Sequence, residues 1–454
     1  MRLLGLKTFR HGVHPPELKD ETSGLAIRRL PFAPLLAVPL LQHAGAAAMP
    51  IVCEGEDVLR GQCIARPDGR MSVAMHAPAT GRIKRIAMMP GISGRMIPAV
   101  WIEPHPASTQ EEIDGTPCPL EAEPAEILAA VQQAGLVGLG GAAFPTHVKL
   151  DVPQDKRVDT LIVNGAECEP YLTTDHRVML EQSDDLFMGL RYLLRVTDAD
   201  RMIIAIEANK PDVAEHLRAR LPGDMPVSIE VLRVKYPQGA EKMLITALLD
   251  RVVPSGRLPL DVGVLCINVA TVVEIGHLLP RGRGIQERVI TVTGPAVEQK
   301  GNYRTPIGTP LRFLLESVGV SPDVDRVFLG GPMMGTAAPS LDIAITKGTS
   351  GVVAYTESEA ERTHRKVHPC IRCGYCVDAC PIFLNPARLG ALAGKLEYER
   401  MAEEQHLMDC FECGSCSFVC PSHIPLVQRF RVAKDAVRRS RERQRESEGE
   451  KGRS

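Results

Sequence analysis

Between residues 125 and 285 the chain alternates between two apolar rhythms. The short runs TLIVNG, MIIAIE, SIEVLRV and GVLCIN are rich in Val and Ile and have the length of buried strands. Between them, DDLFMGLRYLLRV, DVAEHLRARL and AEKMLITALLD place apolar residues at helical spacing, and TVVEIGHLL follows the last strand. AEILAAVQQAG opens the series as a helix that Gly135 stops. This alternation predicts a multidomain α/β protein whose central unit, 125–285, carries a largely parallel sheet.

The flanks follow other patterns. Residues 1–105 are broken by Pro and Gly into short strands, and EGEDVLRGQCIARPDGRMSVAMHAPATGRIKRI reads as a small barrel-sandwich hybrid. It is similar to biotinyl and lipoyl carrier domains. The place of their modified lysine reads GRMSV here, with Arg70, so the fold is expected without the swinging arm. Residues 104–124 are polar and Pro-rich and read as a linker. In 286–340, RVITVTGPAV, GTPLRFLLESVGV and DRVFLGGPMMG predict strands flanking one helix, a β-grasp module. KGTSGVVAYTESEAERTHRK then reads as a joint. The unit 360–430 has a helical insert between two cysteine runs, which predicts an α-helical ferredoxin-type module. The segment 431–454 is a charged tail, and after Pro425 Lys and Arg number ten against five Asp and Glu. That tail suits an anionic surface or, more plainly, a solvated helix.

Composition narrows the function classes. A net charge of −2, one Trp and 4% aromatics give no footprint for nucleic acid. MRLLGLKTFRHG lacks the apolar core of a signal peptide. The apolar stretch LPFAPLLAVPLLQHAGAAAMPIV is interrupted by Pro31, Pro34 and Pro39 and by Gln42 and His43, so no membrane span is expected.

The cysteines carry chemistry. CIRCGYCVDACP and CFECGSCSFVCP share the spacing C-x2-C-x2-C-x3-C-P. Three thiolates at that interval hold three irons of one cube, and the fourth lies too far round and serves the other cube. One [4Fe–4S] cluster is assigned to Cys370, Cys373, Cys376 and Cys420, and the second to Cys410, Cys413, Cys416 and Cys380. The alternative is a pair of zinc sites. Those usually join two C-x2-C units over a longer gap, and the trailing Pro381 and Pro421 have no part in them. Cys53, Cys63, Cys118, Cys168 and Cys266 are scattered and odd in number, which gives no disulfide framework. Thiolate-held clusters suit a reducing cytoplasm.

AGLVGLGGAAFPTHVKL brings Gly138, Gly140 and Gly141 together before a helix start. Such a loop lets backbone N–H groups approach a phosphate, with Lys149 near. It follows a helix, so it is not a Rossmann loop, and without Gly-Lys-Ser/Thr it is not a Walker loop; a plain glycine turn is the other reading. In LIVNGAECEPYLTTDHR, Asn164, Glu167 and Glu169 fall just past a strand's C-terminal end, where open α/β sheets take ligands. Acidic groups there suit hydroxyls, a ring edge or an amide.

Together these pieces resemble the RnfC family, the C subunits of Rnf electron-transport complexes. HGVHPPELK, GLGGAAFPTHVKL, NGAECEPYLTTDHRVM, KYPQGAEK, INVATV, GGPMMG and the two cysteine runs carry the likeness along the whole chain. The central unit is also similar to the FMN/NADH-binding subunit of respiratory complex I. The resemblance implies FMN under the glycine loop, NAD(H) upon it, and an SLBB-like β-grasp module. It places Gly138, Gly140, Gly141, Ala142, Phe144 and Thr146 around FMN, with Lys149 at its phosphate. Asn164, Glu167, Asn268 and Thr271 would line the ring and ribityl side, and Glu169 and Glu241 the nicotinamide nucleotide. No residue is assigned as catalytic. Ala143 stands where the family loop often has Gly, and Ala166 where the complex I relative has an acid. The implied function is a peripheral subunit on the cytoplasmic face of a bacterial inner membrane. Its partners would be the other Rnf-type subunits and, indirectly, ferredoxin, coupling electron transfer between NAD(H) and ferredoxin to ion translocation. A soluble reductase of another acceptor, similar to cobalamin reductases, is the alternative. Its relatives place the glycine-loop domain first.

Overall fold

The computed structural model describes residues 2–3, 5–357 and 366–451. The central sheet has six strands, in the order Arg2–Leu3, Leu6–Lys7, Val227–Leu232, Arg201–Glu207, Thr160–Gly165, Val264–Asn268. The last four are mutually parallel. Leu161, Ile162 and Val163 are 0% exposed. Helices cover both faces, which is why these strands read as continuous apolar runs. On one face the helices Ser183–Thr197 and Val269–Leu278 cross closely. A side chain at Gly189 would run into the Val272 carbonyl, and one at Gly276 into the Asp185 carbonyl.

The barrel is built from two small sheets. One has the order Leu36–Pro39, Met96–Pro104, Gly81–Pro90, Asp57–Val58, and the other Met49–Pro50, Cys63–Arg66, Met75–His76. Its strands begin only at Leu36. The residues before it form a strap. Leu6–Lys7 joins the central sheet and Arg28–Arg29 joins the β-grasp sheet. Strands of two residues add to sheet edges by backbone pairing, so no apolar period marks them.

The β-grasp sheet runs Thr336–Ala337, Val324–Leu329, Gly351–Thr356, Glu287–Thr293, Gly301–Pro306, Arg28–Arg29, with the helix Leu311–Val318 packed on it. Gly351–Thr356 lies inside the expected joint, yet it is a central strand of this sheet. GVVAYT is a β-branched run whose Gly, Ser and Thr neighbours masked it. Residues 358–365 of the same joint lie outside the described residues.

In the cysteine module, helices Pro386–Ala393, Tyr398–Glu403 and Leu426–Lys451 enclose a core of Leu389, Met401, Leu407, Leu426 and Phe430. The charged tail continues the last of these helices, and its last three residues lie outside the described chain.

Candidate functional site: a glycine loop and two cysteine sets

The two cysteine runs fold alike. Arg372, Gly374 and Phe383 have φ of 56, 84 and 60°, and Glu412, Gly414 and His423 have 61, 82 and 51°. Left-handed residues among the thiols and just past the fourth turn the backbone back on itself in each run. The one-turn helices Tyr375–Asp378 and Ser415–Phe418 follow. They carry each fourth cysteine to the other run. Cys380 lines one cavity with Cys410, Cys413 and Cys416. Burial, then the charge of Cys420, Cys373 and Cys370, pushes the Cys376 thiol up. Burial, then the charge of Cys413, Cys410, Cys380 and Cys376, does the same to Cys416.

All thirteen cysteines are free. Among the described residues no three His, Cys, Asp or Glu groups converge tightly enough to grip one metal ion. Cys380, Cys410, Cys413 and Cys416 line a cavity instead. Crowded, buried thiols ionise only beside compensating positive charge. An iron–sulfur cube held by four thiolates supplies that charge, so the donor sets fit it.

The glycine loop is a closed turn. Gly138 N–H donates to the Phe144 carbonyl at 2.8 Å, and Ala143 N–H to the Gly138 carbonyl at 3.0 Å. Leu139 is pinned from behind: its N–H donates to Thr271 Oγ1 at 2.9 Å, and its carbonyl accepts from Arg288 Nη2 at 2.9 Å. A Cβ on Gly140 would lie 3.2 Å from the Asn268 side chain, while one on Gly141 would meet nothing within 4 Å. Among the described hydrogen bonds, the amides of Gly140, Gly141 and Ala142 donate to no group of the chain. Three successive open N–H groups form a nest for an anion or a polar ring edge. Thr146, just beyond, is 2% exposed and its hydroxyl has no partner among the described residues. Ala143 sits at φ 47°, a conformation that glycine adopts without strain. These features fit the phosphate and ring of a flavin nucleotide.

Strand register builds the floor. Asn164 and Asn268 are paired neighbours at the C-terminal ends of adjacent parallel strands. Asn268 caps the helix Val269–Leu278, with Oδ1 accepting from Ala270 and Thr271 N–H at 3.0 and 3.4 Å. Its Nδ2 donates to Asp175 Oδ2 at 2.8 Å. Asn164 Nδ2 donates to the Gly239 carbonyl at 2.8 Å and fixes the loop before Glu241. Lys149 Nζ meets Glu241 Oε1 at 2.6 Å, and both bear on Cys266 in the strand behind them. Burial works against the Lys149 charge, but Glu241 overrides it and holds the ammonium above its ordinary range.

The three acids part company. Glu167 is buried and accepts N–H bonds from Asp175 and His176 at 2.9 and 3.4 Å, at the start of the helix Thr174–Glu181. Glu241 stays beside the lysine. Glu169 reaches the β-grasp unit instead, where its carboxylate accepts from Met333 and Met334 N–H at 3.0 and 2.8 Å.

Two residues were not singled out from the sequence. Arg288, 2% exposed, comes from a β-grasp strand to hold the glycine loop. Asp175 lies between Asn268 and Glu167; burial, then the Glu167 charge, pushes its carboxyl up to about 7. DHR in the quoted stretch held this acid, but only the fold brings it to Asn268.

Four family models match in order. They are the RnfC barrel sandwich hybrid domain at 7–106, the Nuo51 FMN-binding domain at 131–277, the SLBB domain at 289–337 and the 4Fe-4S dicluster domain at 369–425. The chain is 40% identical to the C subunit of the proton-translocating ferredoxin:NAD(+) oxidoreductase complex of Clostridium ljungdahlii, over 97% of this chain and 96% of that one. It is 38% identical to the C subunit of the Na(+)-translocating ferredoxin:NAD(+) oxidoreductase complex of Acetobacterium woodii, over 95% and 97%. It is 39% identical to the C subunit of the ion-translocating oxidoreductase complex of Haemophilus influenzae, over 97% of this chain and 66% of that longer one.

Proposed function

This chain belongs to the RnfC family, the C subunits of ion-translocating ferredoxin:NAD(+) oxidoreductase complexes, and we propose that it is the nicotinamide-facing subunit of such a complex. It is an oxidoreductase component that carries FMN, two [4Fe–4S] clusters and an NAD(H) site. The observation that carries this reading is one chain holding both an open amide nest at parallel strand ends and two crossed cysteine sets. Bound flavin supplies the exchange between electron pairs, as hydride from NADH, and the single electrons that clusters take.

The chain's own residues position that chemistry. Gly138, Gly140, Gly141 and Ala142 present the nest, and Thr271 and Arg288 keep it in shape from behind. Phe144 and Thr146 close its far side, and Lys149 takes the phosphate. Asn164, Asn268 and Glu167 set the floor. Glu241, beside the lysine, is the acid we assign to the nicotinamide nucleotide. Glu169 is left out of that set because the β-grasp loop already occupies its carboxylate.

Partners follow from the family: membrane subunits of the complex, with ferredoxin reached through them. No helix among the described residues is long and apolar enough to cross a membrane. We place the protein on the cytoplasmic face, where thirteen free cysteines and thiolate-held clusters suit the reducing compartment. Family membership along nearly the whole chain, barrel first, leaves the soluble cobalamin-reductase-like alternative without support. The test is turnover. The full chain, assembled without oxygen, is expected to pass electrons from NADH to an artificial one-electron acceptor, and to stop when flavin is stripped. A preparation with flavin and clusters bound that shows no such turnover refutes the proposal.

A further inference from the structure

The barrel has a carrier-like tip with no lysine to modify. That tip is the turn between Cys63–Arg66 and Met75–His76, and it holds Gly69, Arg70, Met71 and Ser72. It is fixed to both helices that flank the glycine loop. Upstream, Gln132 ends the helix Pro124–Gln133. Its Nε2 donates to the Gly69 and Ser72 carbonyls at 3.1 and 2.9 Å, and its carbonyl accepts from Ala74 N–H at 3.3 Å. Downstream, His147 in the helix Thr146–Leu150 donates Nε2–H to the Arg70 carbonyl at 2.9 Å, and Arg70 meets Asp151 at 2.7 Å. A third tie comes from the segment before Gly351–Thr356. Lys347, 1% exposed, donates to the Ala74 and Gly135 carbonyls, both at 2.8 Å. Gly135 sits at φ 74°, and a Cβ there would lie 2.4 Å from the Ala74 carbonyl and 2.7 Å from Lys347 Nζ. Only glycine admits so close an approach of the barrel in that conformation.

The barrel also touches the glycine loop itself. Ala46 N–H donates to the Met71 carbonyl at 2.9 Å, and Ala44 N–H to the Ala143 carbonyl at 3.2 Å. A Cβ on Gly45, between them, would strike the Met71 carbonyl at 1.9 Å. Val73 and Met75 share one apolar core with Leu136, Val137 and Leu139. The loop is thus held at its entry by Gln132 and Gly135, at its exit by His147, and at Ala143 between. A glycine-rich loop has much conformational freedom to lose when a ligand orders it, and one already held in shape loses less. We propose that the barrel tip is a static brace that keeps the glycine loop in its nucleotide-binding shape, with Gln132, His147 and Lys347 as the positioning residues. This deepens the function proposed above and rests on the loop taking the flavin nucleotide. The barrel then holds a cofactor site in place, where a carrier domain would swing a group between sites.

Coupling of this kind is reciprocal: if the tip holds the loop, FMN on the loop must steady the tip. Hydrogen–deuterium exchange read by mass spectrometry on the flavin-free full chain, with and without FMN and without oxygen, tests this on the wild type. FMN is expected to slow exchange in peptides covering 69–75 as well as in those covering 138–147. Protection of the loop with none at the tip overturns the brace. Two variants test the same coupling from the other side. Gln132→Glu keeps the side chain's shape but turns a carboxylate oxygen towards two carbonyls, and Lys347→Met keeps its length without a donor. Each is expected to weaken FMN binding about tenfold in equilibrium dialysis, with faster exchange of 138–147 in the flavin-free chain. A merely structural role would lower the urea midpoint and leave FMN affinity at the wild-type value under folding conditions, and that result overturns the positioning role. The exchange comparison stands on the wild type alone, whether or not the variants fold. A wild-type chain that takes no FMN removes the proposed function, and the brace with it; this is distinct from FMN that binds wild type and variants equally.

Discussion

Replacing Asn268 probes the corner where the helix cap, the glycine loop and a buried acid meet. The side chain caps two amides at 3.0 and 3.4 Å and donates to Asp175 at 2.8 Å. Losing a cap costs about 1 kcal/mol. Losing a donor to a charged acceptor costs about 2 kcal/mol. Asn268→Ala should therefore cost about 3 kcal/mol where Asp175 is ionised. Asp175 titrates at about 7, so this full loss belongs above that pH. Below it the carboxyl is protonated, the bond is between neutral groups, and the loss shrinks. Asn268→Asp separates the two terms. Aspartate caps as well as asparagine, but it sets a second carboxylate against Asp175. The penalty should appear at pH 8 and largely vanish at pH 5, when one proton bridges the pair. The wild-type background runs the same way. Asp175 is raised in the folded state, so its contribution is present at low pH and is lost as pH rises from about 4 towards about 7. Urea midpoints read by pulse proteolysis of the flavin-free chain at both pH values measure this. Equal losses for Asn268→Asp at pH 5 and pH 8 would refute the reasoning.

Three further outcomes are expected. Cys380→Ala should halve the bound iron, and alkylation followed by mass spectrometry should find Cys410, Cys413 and Cys416 newly labelled; labelling of Cys370, Cys373 and Cys376 would mean uncrossed sets. Thr271→Val leaves the buried Leu139 N–H without its acceptor, a cost of about 1–3 kcal/mol, and should weaken flavin retention about tenfold or more in equilibrium dialysis. Lys149→Met removes the ammonium proposed for the flavin phosphate, so FMN affinity should fall at least about tenfold. The Lys149–Glu241 pair is 37% and 35% exposed, so its loss should change stability by less than about 1 kcal/mol in urea unfolding.

The cysteine runs and the parallel strands were legible because their signal is local. Spacing along the chain dictates which thiols can share a cube, and strands buried on both faces spell themselves as Val and Ile. The glycine loop was legible as a loop, but its support was not. Thr271 and Arg288 lie 132 and 149 residues from Leu139, and only the packed fold brings them there. The strap at Leu6–Lys7 and Arg28–Arg29 was invisible for the same reason, since pairs of residues that extend a distant sheet edge carry no period. Glu169 shows the reverse case. Its place just past a strand end marked it as a ligand contact, yet the β-grasp loop, from another part of the chain, uses it as a clamp.

An anaerobic titration of the full chain with NADH, followed in the visible spectrum, bears on the central claim most directly. The account predicts a flavin band on a broad iron–sulfur shoulder, both bleached by NADH, because nicotinamide, flavin and clusters lie on one path. Clusters that appear without flavin, or that NADH leaves unbleached while dithionite reduces them, would contradict it.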